Sequence, residues 1–170
     1  MRRLLSLFLL AFALGAGAAE PWEKFFDLSL GDLRAEVAEA AKAGKQGLLV
    51  MYQFEECPYC ARMKREVLSR PDVQRAYRSR FQAIEIDTRG SQEITGFDGK
   101  TMPEKDFARA SGIRGSPVFV FYSLEGKAML THAGAINDPA SFILLADYYS
   151  TGAYRDTPFI AYVRAHRKGA

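Results

Sequence analysis

The chain has 170 residues, 23 Lys and Arg against 20 Asp and Glu, a formal net charge of +3 and only two cysteines. Taking Arg2 and Arg3 away from the 23 basic residues leaves 21 against 20, a balance that excludes a nucleic-acid reader working by phosphate neutralisation. With 48% hydrophobic and 12% aromatic residues the chain can bury a core without covalent staples, so its cysteines are free for chemistry.

Residues 1–19 read as a signal peptide: a basic start at Arg2 and Arg3, an apolar run from Leu4 to Ala19, and a small-residue end at Ala16-Gly17-Ala18-Ala19. The run of 16 residues falls short of the ~20 that a spanning helix needs, which leaves a retained membrane anchor as the rival reading. No cysteine sits at the cleavage point for lipid attachment. Residues 20–170 then form a single domain, with no repeat, low-complexity tract or linker to divide them.

After an aromatic lead (Trp22, Phe25, Phe26, Leu28), Asp32 caps a helix running to about Ala43, with Leu33, Val37 and Ala40 along one face. Leu48–Phe54 is a continuous apolar and aromatic run, as expected of a strand covered on both faces. Glu55-Glu56-Cys57-Pro58-Tyr59-Cys60 follows, then a helix with Cys60, Met63 and Val67 at i, i+3 and i+7. Pro71 breaks that helix, and a short helical stretch from Asp72 to about Arg78 precedes the strand Phe81–Asp87. Strand, helix and strand make a right-handed parallel βαβ unit. Asp98-Gly99 between short strand-like pieces predicts a small hairpin, and Pro103 to about Ser111 a helix. Val118–Tyr122 is a second buried strand, turned by Glu125-Gly126 into an antiparallel partner over Lys127–His132. Pro139 to about Tyr149 is a helix, and a last one starts at Pro158 with Thr157 as its cap. The fold class is α/β: a mixed central sheet with helices on both faces.

Both cysteines lie at the point where a strand feeds a helix. This places Cys57 at the exposed helix N-terminus, where free N–H groups and the helix dipole favour its thiolate, and Cys60 nearly a turn inside. Cys57 is the expected nucleophile, forming a mixed disulfide that Cys60 resolves. Pro58 suits the first helical turn. Two other readings stand beside this one. A zinc half-site would need four ligands, and the chain offers only His132 and His166, neither at ligand spacing. A purely structural bridge would gain little from closing so short a loop. No metal or other cofactor is expected.

Strand-Cys57-Pro58-Tyr59-Cys60-helix, followed by Gly112-Ile113-Arg114-Gly115-Ser116-Pro117 before a buried strand and then by Gly134-Ala135, resembles the thioredoxin superfamily over about residues 47–149. Residues 150–170 are then a C-terminal helical extension. The run Phe54–Cys60, the Phe97-Asp98-Gly99-Lys100 insertion before the proline strand and the tail Gly152-Ala153-Tyr154-Arg155-Asp156 look like exported thioredoxins of the SoxW type, associated with periplasmic sulfur oxidation. The resemblance implies a cis Ser116–Pro117 bond, with Pro58, Tyr59, Ser116, Pro117 and Gly134 forming the substrate surface. A trans proline opening a strand is the alternative that local sequence also allows.

Two departures bear on direction. Cytosolic thioredoxins usually carry a buried Asp six residues before the nucleophile and a Trp immediately before it, whereas this chain has Met51 and Glu56. Glu55 or a water is the candidate proton relay in place of that Asp. Glu55 and Glu56 also oppose the Cys57 thiolate. A unit charge ~8 Å away at an effective dielectric of ~40 costs about 1 kcal/mol, so the helix-end effect is reduced rather than reversed. These features point to a monomeric periplasmic thiol:disulfide oxidoreductase that reduces protein disulfides with electrons from a membrane donor. A net oxidant or isomerase, and a binding or chaperone module with an incidental dithiol, are the alternatives.

Overall fold

The computed structural model describes residues 20–167. The expected signal peptide therefore lies outside the described residues.

The elements in chain order are α1 (Leu33–Lys42), β1 (Gly47–Gln53), α2 (Pro58–Met63), α3 (Pro71–Arg78), β2 (Phe81–Asp87), β3 (Glu93–Thr95), β4 (Thr101–Pro103), α4 (Glu104–Ala110), β5 (Val118–Tyr122), β6 (Ala128–Ala133), α5 (Pro139–Ser150) and α6 (Phe159–His166). The four long strands form one sheet in the order β2-β1-β5-β6. β1 runs parallel to β2, as the βαβ connection requires, and antiparallel to β5, which in turn pairs antiparallel with β6. The β5–β6 register shifts once, at Phe121/Tyr122. β3 and β4 are the expected hairpin, closed through Gly99 at φ +82°, a conformation open to glycine.

Alternation along the strands sends side chains to two separate cores. Leu49 and Met51 of β1, Phe81 and Ala83 of β2, and Phe119 and Phe121 of β5 face α2, α3, α5 and α6. Leu48, Val50 and Tyr52, Ile84 and Ile86, and Val118 and Val120 face α1, α4 and the hairpin. Helix entry follows side-chain chemistry: Asp32 accepts from the Arg34 and Ala35 amides at the start of α1, and Asp138 accepts from the Ser141 amide at the start of α5.

Three local features depart from the sequence reading. The aromatic lead is a 3₁₀ turn over Pro21–Phe25 that drives Phe25 into the core against Tyr77, ring centroids 5.2 Å apart. The helix after Cys60 changes to a π-helical turn over Lys64–Leu68 before Pro71 starts α3. Pro158, not Thr157, occupies the N-cap of α6, because the Thr157 carbonyl is taken by the Tyr148 hydroxyl. The lead also covers the outer edge of the sheet. Asp27 donates its amide to Ala83 O at 2.7 Å and accepts the Ala83 amide on its carboxylate, while the Glu104 carboxylate accepts the Asp87 amide.

Candidate active site

The site forms where β1 ends and α2 begins. A turn closed by the Cys57 amide on Phe54 O sets Cys57 as the N-cap of α2, with Pro58 at the first helical position, where a missing N–H costs nothing. Cys57 and Cys60 form a disulfide with Cα atoms 5.3 Å apart. The Cys60 amide donates to Cys57 Sγ at 3.2 Å, so the helix N-terminus points a backbone N–H at the first sulfur, as the strand-to-helix position predicts.

Cys57 is not an exposed residue. It is 2% accessible against 1% for Cys60, because both belong to the apolar cluster on this face of the sheet, with Met63 and Phe119. Exposure falls instead on Pro58 and on Tyr59, which is 63% accessible.

The second wall comes from the segment before β5. Ser116–Pro117 is a cis peptide bond. The Ser116 hydroxyl lies 3.4 Å from Cys60 Sγ and donates to Tyr52 O at 3.1 Å, tying this loop to both β1 and the dithiol. Gly134, at φ +98°, donates its amide to Pro117 O at 2.9 Å. The structure thus gathers Cys57, Cys60, Ser116, Pro117 and Gly134 at one end of the sheet. Glu55 stays outside this group: it is exposed and lines a cavity of about 610 Å³ with Trp22, Gln53, Lys64 and Asp87.

Three features escaped the sequence reading. Glu85 points from β2 onto the dithiol face, where it sits opposite Met51 in the strand register and pairs with Lys64 Nζ at 2.5 Å. Burial pushes the Glu85 carboxyl up from its ordinary value, and Lys64 only partly offsets this. The ammonium also lies 4.1 Å from the centre of the Trp22 ring. Strand parity with Ala83, and the four-residue step from Cys60 to Lys64, are the signals that locate this pair. Second, Tyr52 and Tyr122 share a buried hydroxyl–hydroxyl hydrogen bond of 2.8 Å on the opposite face. Third, Arg89 lies flat on Phe54, its guanidinium carbon 3.7 Å from the ring centre, and pairs with Glu56 at 3.3 Å.

The two histidines are accounted for by packing. His132 stands edge-on to Phe159 at 5.6 Å, its pKa lowered by burial, and His166 stacks on Tyr162 at 4.0 Å. Among the described residues no three His, Cys, Asp or Glu side chains come together as a metal site.

Residues 33–150, well over half of the chain, match the thioredoxin-like domain family. The chain belongs to that family. Its thioredoxin-like architecture is also that of solved structures. A thioredoxin-fold protein from Helicobacter pylori is 17% identical, covering 85% of this chain and 92% of that one, with a TM-score of 0.67. A thioredoxin from Thermus thermophilus is 24% identical, covering 79% and 93%, with a TM-score of 0.55. The reduced C-terminal domain of DsbD from Neisseria meningitidis is 16% identical, covering 66% and 89%, with a TM-score of 0.50. No curated protein matches the chain. A thioredoxin-like domain carrying a Cys-Pro-Tyr-Cys disulfide at the head of its first post-strand helix is a thiol:disulfide oxidoreductase. No helix among the described residues is long and apolar enough to cross a membrane.

Proposed function

We propose that this protein is an exported reductant of protein disulfides or mixed disulfides, working in the periplasm with electrons drawn from a membrane donor. Maintenance of a sulfur-oxidation carrier protein is the role that the SoxW-like motifs favour. The observation that carries the reading is the Cys57–Cys60 pair at the start of α2, with Ser116 Oγ 3.4 Å from Cys60 Sγ.

In the reduced protein, Cys57 thiolate attacks one sulfur of a substrate disulfide; the Cys57–substrate bond forms as the substrate S–S bond breaks, and the leaving thiolate takes a proton. Cys60 thiolate then attacks Cys57 Sγ and releases the second substrate thiol. Two electrons and two protons have passed to the substrate, and Cys57–Cys60 is left oxidised, ready for a dithiol donor to reverse the exchange. Pro58, Tyr59, Pro117 and Gly134 form the surface on which an extended substrate segment rests, with the Ser116 backbone beside it.

The reducing direction is favoured by charge. Glu55 and Glu56 precede Cys57, and the Arg89 guanidinium is paired with Glu56. A thiolate preceded by two carboxylates is less stabilised, which moves the couple toward the reducing end of the range from roughly −270 to −120 mV. Exposed Glu55 relays protons through water in the cavity it lines.

Insulin reduction tests the reading. The protein should turn over insulin with dithiothreitol as donor, Cys57→Ser and Cys60→Ser should each lose that turnover, and Cys60→Ala should accumulate mixed disulfides at Cys57. A Cys57–Cys60 potential between roughly −270 and −200 mV supports a reductant, whereas one near −120 mV means an oxidant. An absence of any turnover that depends on Cys57 and Cys60, with partners still bound by both Ser variants, would leave the thioredoxin-like fold as a binding module.

A further inference from the structure

A groove of about 270 Å³ runs beside the dithiol, between the end of β1 and the cis-proline loop. Its lining includes Phe54, Arg89, Ile113, Arg114 and Ser116. Ser116 joins it to Cys60, its hydroxyl 3.4 Å from the sulfur, so the groove opens beside the dithiol.

Two guanidiniums stand on its walls. The Arg89 guanidinium is held over the Phe54 ring, its carbon 3.7 Å from the ring centre, and both side chains line the groove. Glu56 occupies one of the Arg89 terminal nitrogens at 3.3 Å, and the fork has further donors to offer. Arg114 is exposed and sits among the described residues without an ion-pair partner. Phe54 and Ile113 supply an apolar floor for a peptide backbone. The charge on the groove is therefore net positive even with Glu56 counted, because Arg89 and Arg114 face a single carboxylate. Glu55 is not among the residues that line the groove; it lines the separate cavity with Lys64 and Arg65.

We propose that this groove selects substrates with an acidic segment next to the disulfide, whose carboxylates pair with Arg89 and Arg114. The inference rests on the reductase reading above and specifies its substrate class. A cleft of one charge sign concentrates partners of the opposite sign and rejects like-charged ones, so the selection should appear mainly in KM and weaken with salt.

Three cystine-bridged fluorogenic peptides, alike except for two flanking residues that are Asp-Glu, Gln-Gln or Lys-Lys, are reduced by the full mature chain with dithiothreitol as donor. The acidic peptide should have a kcat/KM about tenfold above the neutral one and the basic peptide about tenfold below it, with the spread shrinking at high ionic strength. Arg114→Ala should compress the acidic-to-basic ratio several-fold, Arg89→Gln together with it should bring the ratio to within about twofold, and Arg114→Glu should invert the preference. Equal rates for the acidic and basic peptides, or a preference that survives the double substitution, would overturn the inference while leaving the reductase intact. Reduction of none of the three would sink the reductase reading and the inference together.

Discussion

The two faces of the sheet solve different problems. The face under α1 and α4 is built from aliphatic strand residues and two facing tyrosines, and its buried carboxylate, Glu36, meets the neutral amide of Gln82. The face under α2, α3 and α5 is aromatic. Phe142 stacks against Tyr77 at 4.5 Å and touches Phe25 and Phe119, and the Tyr77 hydroxyl donates to Phe142 O at 2.7 Å. Its buried carboxylate, Glu85, meets a full charge on Lys64. Only this second face also contains the disulfide. A polar group can be afforded in either core when its partner is built in, and the dithiol face differs in holding its carboxylate through a full ion pair.

The largest test of that difference is packing. Phe142→Ala should cost about 3–5 kcal/mol, because its three aromatic neighbours cannot close over the lost ring, whereas Leu48→Ala on the opposite face should cost about 2–4 kcal/mol. Urea denaturation at neutral pH measures both, and a smaller loss for Phe142→Ala would remove the aromatic face's special place. Next comes charge. Lys64→Met leaves Glu85 without its counter-ion. The pair's partial exposure brings the cost to about 2–3 kcal/mol at pH 7, below the ~3–5 kcal/mol typical of a fully buried pair.

The pH dependence has a definite sign. Glu85 is raised in the folded state, so its contribution to stability is complete below the ordinary glutamate range and is lost as pH climbs through the raised folded value. Removing Lys64 lifts that value further, so the Lys64→Met deficit should shrink on acidification. A deficit independent of pH between 4 and 8 would mean that the ammonium acts through packing on Trp22 alone. The smallest effect belongs to Asp138, the cap of α5. Hydrogen bonds from Ser141 and then Arg167 bring its pKa down to about 2, so its contribution is complete above the ordinary aspartate range and disappears as pH falls toward 2. Asp138→Asn should cost under ~1 kcal/mol at pH 7 and nothing at pH 2, measured by the same urea titrations.

What the sequence made legible was governed by local rules. Asp32 before Leu33, Pro71 after a helical run, Asp98-Gly99 between short strands and the unbroken apolar stretch at β1 each state their own structure, and each element formed within a residue or two of its expected bounds. The dithiol was legible from its place between a strand and a helix, whereas the cis Ser116–Pro117 bond is expected from the family resemblance, since local sequence also allows a trans bond. The misreadings involve partners distant in the chain. The helix position of Cys57 predicts exposure, but the residue is buried in a cluster that includes Phe119, 62 positions away. Glu85 reads as one polar residue in a strand until β2 is paired with β1 and α2 is laid across them. The hold of Phe54 and Glu56 on Arg89 likewise exists only after the chain has returned through β2.

The sheet has two outer strands, and they are treated unequally. On β2 the outward amides of Ala83 and Asp87 are already occupied by the carboxylates of Asp27 and Glu104. Side chains have taken the place that another strand would fill, so β2 offers a poor template for joining a second molecule. β6, at the other end, has no strand beyond it among the described residues, and its six residues meet β5 through a register shift. Short length and local irregularity are the usual defences of such an edge against self-association. A sheet defended at both edges leaves the dithiol end as the place where the proposed substrates are received.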